Sequence, residues 1–482
     1  MRRSDGTMDK LDPIRSNGLC AKINDFMRTP WYVVLIALMT CLSNLFSLEL
    51  YLYSAFILFG IYISVLGIDL LPMMPIVICC YIAPSPENNP GRNESSIFYP
   101  QNGGIYLFVL AALFAAALIF RLATDSQIGK QKFFAEKRSL LSGMLFLGAG
   151  YLLSGLGMAE YPELFTSNLL FAIIQFASVF VMYFVFTGAV KWGRVSKDYF
   201  AWIGMSVGFV VLAQLMDNYL SGRIFLEGTG TMDRELISTG WGMHNNIGGM
   251  MAMMLPYAFY LAYKRPNGWI YNILGTVLLV GVVVSCSRTS MMVAAVVYCL
   301  CAVILLGKPE NRKNNIRVFV SAAVLVAVVA VVFFRQLWNV FALFFEELFL
   351  VSERDNLFVY GMKQFLAHPI FGGSFFPQGE YVPWDWANLE SFSSFFPPRW
   401  HNTLVQIAAS CGVVGLIGYG IHRFQTVKML LKGMTTEKLF IMISIGSLLV
   451  MSLLDCHFFN VGPVLFYSMA LAFAEKIEHS KI

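Results

Sequence analysis

Charge is the scarcest commodity in this sequence. The 34 Lys and Arg and 29 Asp and Glu make up 13% of 482 residues, about half the share of a soluble domain. With 57% apolar residues and 15% aromatics, no hydrated shell of ordinary charge density closes around such a chain. It reads as a membrane protein. The net charge of +5 is small and dispersed, which excludes a nucleic-acid partner, and the composition excludes disordered and collagen-like chains. Cysteines paired by spacing are also missing. The nine that occur show no disulfide or zinc pattern, and most, such as Cys79, Cys80, Cys299 and Cys301, lie inside apolar runs as small buried hydrophobes. No Asp-rich cluster marks the outer connections, so neither a metal nor another cofactor is expected.

Apolar runs are what the chain has instead. A bilayer core of roughly 30 Å takes about 20 residues per helix, and about fourteen runs qualify: 31–48, 50–66, 68–84, 104–120, 139–157, 165–190, 200–216, 244–263, 269–286, 289–306, 318–334, 402–421, 439–455 and 461–475. The expected fold is all-α and polytopic, with about 12–14 transmembrane helices. Residues 1–30 form a basic cytoplasmic tail, 31–334 carry helices 1–11, 335–401 form an extracytoplasmic loop, 402–475 carry helices 12–14, and 476–482 are a second cytoplasmic tail. If the basic leader before Trp31 stays inside as the flank of a first anchor, 26 of the 34 Lys and Arg fall on the inner side, as the positive-inside rule requires. Both termini are therefore expected inside.

Two features set the outer side apart. The loop before the twelfth run has 18 aromatics among the 65 residues from Gln336 to Trp400, and Ser352-Glu353-Arg354-Asp355 opens a helical pattern that stops at Pro369. The loop is expected to be structured, with short helices. Its rings, among them Trp338, Tyr381, Trp384, Trp386 and Trp400, suit either an interfacial belt or, beside Asp385 and Glu390, a sugar-stacking platform. The even-numbered runs, moreover, start outside, where helix N-termini present free N–H groups and a positive dipole end. Three begin with polar clusters: His244-Asn245-Asn246, Ser287-Arg288-Thr289-Ser290, and His401-Asn402-Thr403. A cation at a helix N-terminus opposes the dipole, so Arg288 and Arg354 sit against local preference unless an anion lies between them. Forked guanidinium donors with backbone N–H groups make a phosphate site. His244, Asn245, Asn246, Ser287, Trp400 and Asn402 complete the candidate binding set, each open to the alternative of capping or packing. The sequence assigns no role to Arg223, Arg234 or His457.

Ser287-Arg288-Thr289, then Arg354, Phe365, His368-Pro369-Ile370-Phe371-Gly372, His401-Asn402-Thr403-Leu404-Val405-Gln406 and Gly412-Val413-Val414-Gly415 resemble, in order and spacing, the O-antigen ligase and polymerase superfamily over roughly residues 240–420. The resemblance implies a metal-independent, inverting membrane glycosyltransferase. It implies a polyprenyl-diphosphate-linked glycan as donor and a glycan, lipid or protein acceptor, met outside the cytoplasmic membrane. The matching arginines, Arg288 and Arg354, would hold the diphosphate, and His401 would be the general base. About fourteen runs exceed the twelve or so usual for the ligases, which leaves ligase against polymerase open. The alternative from another class is a flippase or secondary transporter of lipid-linked or anionic solutes. Transporters place charge near the midplane, whereas these runs carry almost none at their centres.

Overall fold

The structure, a computed structural model, describes residues 12–15, 17–86, 96–124, 133–134, 136–156, 162–226, 232–332, 353–376, 397 and 399–479. Arg335, Trp338, Tyr381, Trp384, Asp385, Trp386 and Glu390 lie outside the described residues, as does the side chain of Arg354. A helix stands at every one of the fourteen apolar runs. In chain order these are α1 (Pro30–Phe46), α2 (Glu49–Leu66), α3 (Met73–Ile82), α4 (Gly104–Thr124), α5 (Leu141–Leu152), α6 (Pro162–Ala189), α7 (Tyr199–Leu220), α8 (His244–Lys264), α9 (Gly268–Val284), α10 (Arg288–Leu306) and α11 (Arg312–Val332). After the loop helix α12 (Glu353–Ala367) come α13 (Thr403–Leu431), α14 (Thr436–Met451) and α15 (Val461–Lys476). The one described sheet is a hairpin of β1 (Ser238–Thr239) and β2 (Gly242–Met243).

The protein is thus an all-α, multi-pass membrane protein. Among the described residues, six helices are individually long and apolar enough to cross a bilayer, namely α2, α4, α6, α7, α10 and α13, and α1 is bent by 73° from the preceding Gly18–Phe26 helix. The others are shorter or polar at one end. Helix α8 is too polar in composition to be among them, yet every residue from Ile247 to Ala262 is buried. A helix apolar all round belongs inside a bundle, and α8 is packed by α7, α9, α10 and α14.

Side-chain contacts sort the connections into two layers. At one end Arg28 pairs with Asp69 at 2.8 Å, and Asp69 accepts from the Lys191 backbone N–H at 2.8 Å. Arg121, fully buried, donates to the Ile63, Gly67 and Ile68 carbonyls at the C-terminus of α2, where a cation offsets the dipole. Lys476 meets Glu136, Lys438 meets Glu478, Lys264 meets Glu437 and Arg265 meets Asp198. Among the described residues the other connection expected inside joins this layer through Lys308, which pairs with Glu310 at 2.9 Å and donates to the Tyr263 carbonyl at 2.7 Å. The opposite end is bonded mainly through amides and hydroxyls. Gln214 there donates to Asn44 and Ile82, Tyr219 to Val284, and Ser154 to Ser410. Among the described residues, the connections expected inside thus gather at one end of the bundle and those expected outside at the other.

Candidate functional site

The three polar helix heads lie together at the amide-rich end. Helix α13 starts where Asn402, extended at φ −152° and ψ 123°, caps it. Its Oδ1 accepts from the Leu404 and Val405 N–H groups at 2.8 and 3.1 Å, and its Nδ2 donates to the Leu453 carbonyl at 2.8 Å. Thr403 N–H donates to the Ser452 carbonyl at 2.8 Å, and Trp400 N–H to Gln406 Oε1 at 3.0 Å. Between these anchors His401 is forced into the left-handed region at φ 52°. That conformation costs a non-glycine residue about 1–3 kcal/mol and persists only where the surroundings dictate it. Its imidazole, 33% exposed, places Nδ1 3.3 Å from Asp455 Oδ1.

Asp455 belongs to the turn between α14 and α15. Burial works against its charge, but the hydrogen bond with His401, the positive fields of His457 and His401 and the Cys456 N–H (2.6 Å) together hold its carboxyl well below the usual range. A carboxylate on the Nδ1 side of an imidazole favours the proton there, with Nε2 as the nitrogen able to accept one. In the same turn His457 is buried, and its ring lies so near Gly249 on α8 that a Cβ there would meet Cε1 at 2.8 Å.

Gly248, one residue earlier, presses on the head of α10, where a Cβ would meet Ser287 Cβ at 2.9 Å and Ser290 Cβ at 3.0 Å. Small residues allow this approach of backbones. Ser287 is fully buried and donates to Ser290 Oγ at 2.7 Å. Cys286 before it adopts φ 57°, so two of the four described non-glycine residues at positive φ precede helix heads of this site. Arg288 takes the first helical position and is partly exposed. Neither α8 nor α10 has a side-chain cap on its first turn. His244 is buried, with Nδ1 3.9 Å from Glu235 Oε2; Asn246 accepts from Asn460 Nδ2 at 2.6 Å; Asn245 is partly exposed.

Contacts therefore run unbroken from the α10 head through Gly248 and Gly249 to His457, Asp455 and His401. Helix α12 joins from the other side, where Leu357 and Tyr360 pack on Trp400, and a Cβ on Gly361 would meet Val405 at 2.7 Å. Below that level α12 feeds a segment into a break in α13. Gly412, at φ 63° and ψ −159°, interrupts the helix; Val413 and Val414 N–H groups donate to the Pro369 and Ile370 carbonyls, and Gly373 N–H donates to the Ala409 carbonyl at 2.7 Å. The two helices hence run in the same direction, and the Arg354 backbone lies about 10 Å along the axis beyond Gly361, at the same end as His401. Trp400 is wholly buried, a packing anchor whose ring faces are covered.

Two groups at the site carry no signal in composition or periodicity. One is Asp455. The other is Arg399, which donates from Nη2 to the Phe459 carbonyl at 3.1 Å and lies 5.3 Å from the Phe171 ring centroid; burial lowers its pKa while Cys456 and Asp455 support its charge. Its place two residues before His401 was the available hint. Among the described residues no three His, Cys, Asp or Glu side chains converge as a metal site would need.

Comparison with known proteins finds one family. Residues 273–420 match the family model described as O-antigen ligase, a stretch that holds Arg288, Arg354 and His401. No curated protein matches the chain.

Proposed function

Because its residues 273–420 match the family model described as O-antigen ligase, we propose that it transfers or polymerises a polyprenyl-diphosphate-linked glycan on the outer face of the cytoplasmic membrane. The observation that carries this reading is His401, at a helix head inside the matched segment, paired at 3.3 Å with Asp455 from a later turn.

In the proposed step Nε2 of His401 takes the proton of an acceptor hydroxyl. The freed oxygen attacks the anomeric carbon from the face opposite the phosphate, forming the new glycosidic bond with inversion as the carbon–oxygen bond to phosphate breaks. The electron pair leaves on the lipid diphosphate. Arg288, Arg354 and the uncapped N-termini of α8 and α10 stabilise that charge as it grows. Asp455 keeps the imidazole oriented and stabilises it once protonated. Asn402 acts as the helix cap that fixes His401, and His244, Asn245 and Asn246 flank the anion from the head of α8.

The test is incubation of purified protein with a defined undecaprenyl-diphosphate oligosaccharide and sizing of the products. Longer lipid-linked chains identify a polymerase and transfer to a different acceptor a ligase. Uptake into vesicles without a new bond would replace the enzyme by a transporter, and full transfer by His401→Ala would remove its role as base.

A further inference from the structure

A second polar opening lies at the same end of the bundle, where α1, α3 and α7 finish and the Ser238–Met243 hairpin folds over them. It is a cavity of about 350 Å³, at the lower end of the sizes that hold small ligands. Its wall carries Gln214, Asp217 and Asn218 from the last turns of α7 and Ser221 just after them, faced by Asn44 in the last turn of α1 and by Arg223. Asp217 and Arg223 form an ion pair, with side chains still 28% and 32% exposed. A phosphate would favour cations without an attendant acid, and an acyl chain would favour apolar walls. A carboxylate, a guanidinium, amides and hydroxyls converging on one small space match a ligand that both donates and accepts hydrogen bonds at many points, as a sugar ring does.

The wall is set in advance. Gln214 Nε2 donates to Asn44 Oδ1 at 2.9 Å and to the Ile82 carbonyl at 2.5 Å, while Gln214 Oε1 accepts from Trp241 Nε1 at 3.0 Å. Asn44 Nδ2 donates to the Ala83 carbonyl at 2.6 Å, and Arg223 Nε to Ser221 Oγ at 2.8 Å. Groups already fixed lose little freedom on binding. The hairpin links the cavity to the site described above. Thr239 lines it and accepts the Gly242 N–H at 3.2 Å; the hairpin is seated by Gly240 N–H on the Pro84 carbonyl at 3.0 Å; and His244 opens α8 directly after β2.

We propose that this cavity is a sugar subsite, in which one pyranose of the glycan lies between the Asp217–Arg223 pair and the amides of α7. It rests on the glycan-transfer reading in that both place the glycan at this end of the molecule. The sugar belongs either to the lipid-linked donor or to the acceptor, which share this chemistry.

The test uses the full chain in lipid nanodiscs and free glucose, galactose, rhamnose and N-acetylglucosamine as probes, read by saturation-transfer difference NMR. The wild type and His401→Ala are expected to saturate at least one sugar, the isosteric Asp217→Asn to bind it about tenfold more weakly, and Ser221→Trp, which plugs the mouth from an exposed position, to abolish the signal. Absence of any sugar signal, or a signal indifferent to both substitutions, overturns the subsite. In transfer assays the same variants should raise KM about tenfold for the donor if its glycan is bound here, or for the acceptor if the acceptor's is; unchanged KM for both also overturns it. A wild type that forms no glycosidic bond while its sugar signal still depends on Asp217 and Ser221 would sink the transfer reading and leave the subsite standing.

Discussion

At the scale of single residues, His401 and Asp455 divide the work expected of a base. His401→Ala should abolish glycan transfer with expression intact. Asp455→Asn should lower kcat by roughly 100-fold or more at little change in KM, since a misoriented base forfeits most of its contribution; steady-state kinetics on the purified variants decide it. The pair also makes stability depend on pH. Asp455 is held well below its ordinary 3.8 in the folded protein. A depressed carboxylate contributes stability that is complete above the unfolded pKa and lost as pH falls through the folded one. Melting curves should therefore show the wild type ahead of Asp455→Asn by a constant margin above about pH 5, a margin that shrinks in acid. A gap that widens on acidification would contradict the pairing. His401 was legible in the sequence as the polar start of a long apolar helix, but Asp455 lies in a turn some fifty residues later and no local pattern links the two. Aromatic density left Trp400 open to a belt or a stacking platform; the structure buries it against α12.

At the scale of elements, the feature that organises the site is the break in α13. Gly412 occupies a backbone region open essentially to glycine alone, and Gly372, at φ 72°, comes so close that a Cβ would meet the Ser410 carbonyl carbon at 2.2 Å. Gly412→Ala and Gly372→Ala should each cost about 1–3 kcal/mol or more, read as lower melting temperatures in detergent and loss of transfer together. Trp400→Ala should destabilise by about 3–5 kcal/mol and free α12, measurable as faster proteolysis of the loop; equal proteolysis rates would mean that α12 is held elsewhere. The sequence located a helix at every apolar run, because runs of this length have few alternatives in a bilayer, but it ended the twelfth at 421 where α13 continues to Leu431 and took the Gly18–Phe26 helix for tail. It read α13 as one continuous run, since glycine is common in membrane helices and a break filled by another segment leaves no trace in hydropathy.

At the scale of the whole molecule, the count of basic residues and the contacts between connections agree on which ends lie together. The expected orientation puts the ion-pair layer in the cytoplasm. Single cysteines at Ser221 and Arg234 on a cysteine-free background should react with a membrane-impermeant maleimide from outside intact cells, and those at Asn314 and Gly433 only after lysis. The reverse pattern would invert the molecule and, with it, the side on which His401 works. What the sequence could not show was depth and proximity: that the His457 turn is close enough to α6 for its Phe459 carbonyl to accept from Gln175 at 3.0 Å, or that the heads of α8, α10 and α13 share one pocket of contacts.

The interlock at Gly412 also constrains biogenesis. Bare carbonyls and amides are costly in hydrocarbon, and those at the interruption are satisfied by a stretch synthesised some forty residues earlier. Insertion of α13 is thus incomplete until the extramembrane segment that precedes it latches, so that maturation of the helix headed by His401 is a late event, timed by the very loop that carries the second arginine.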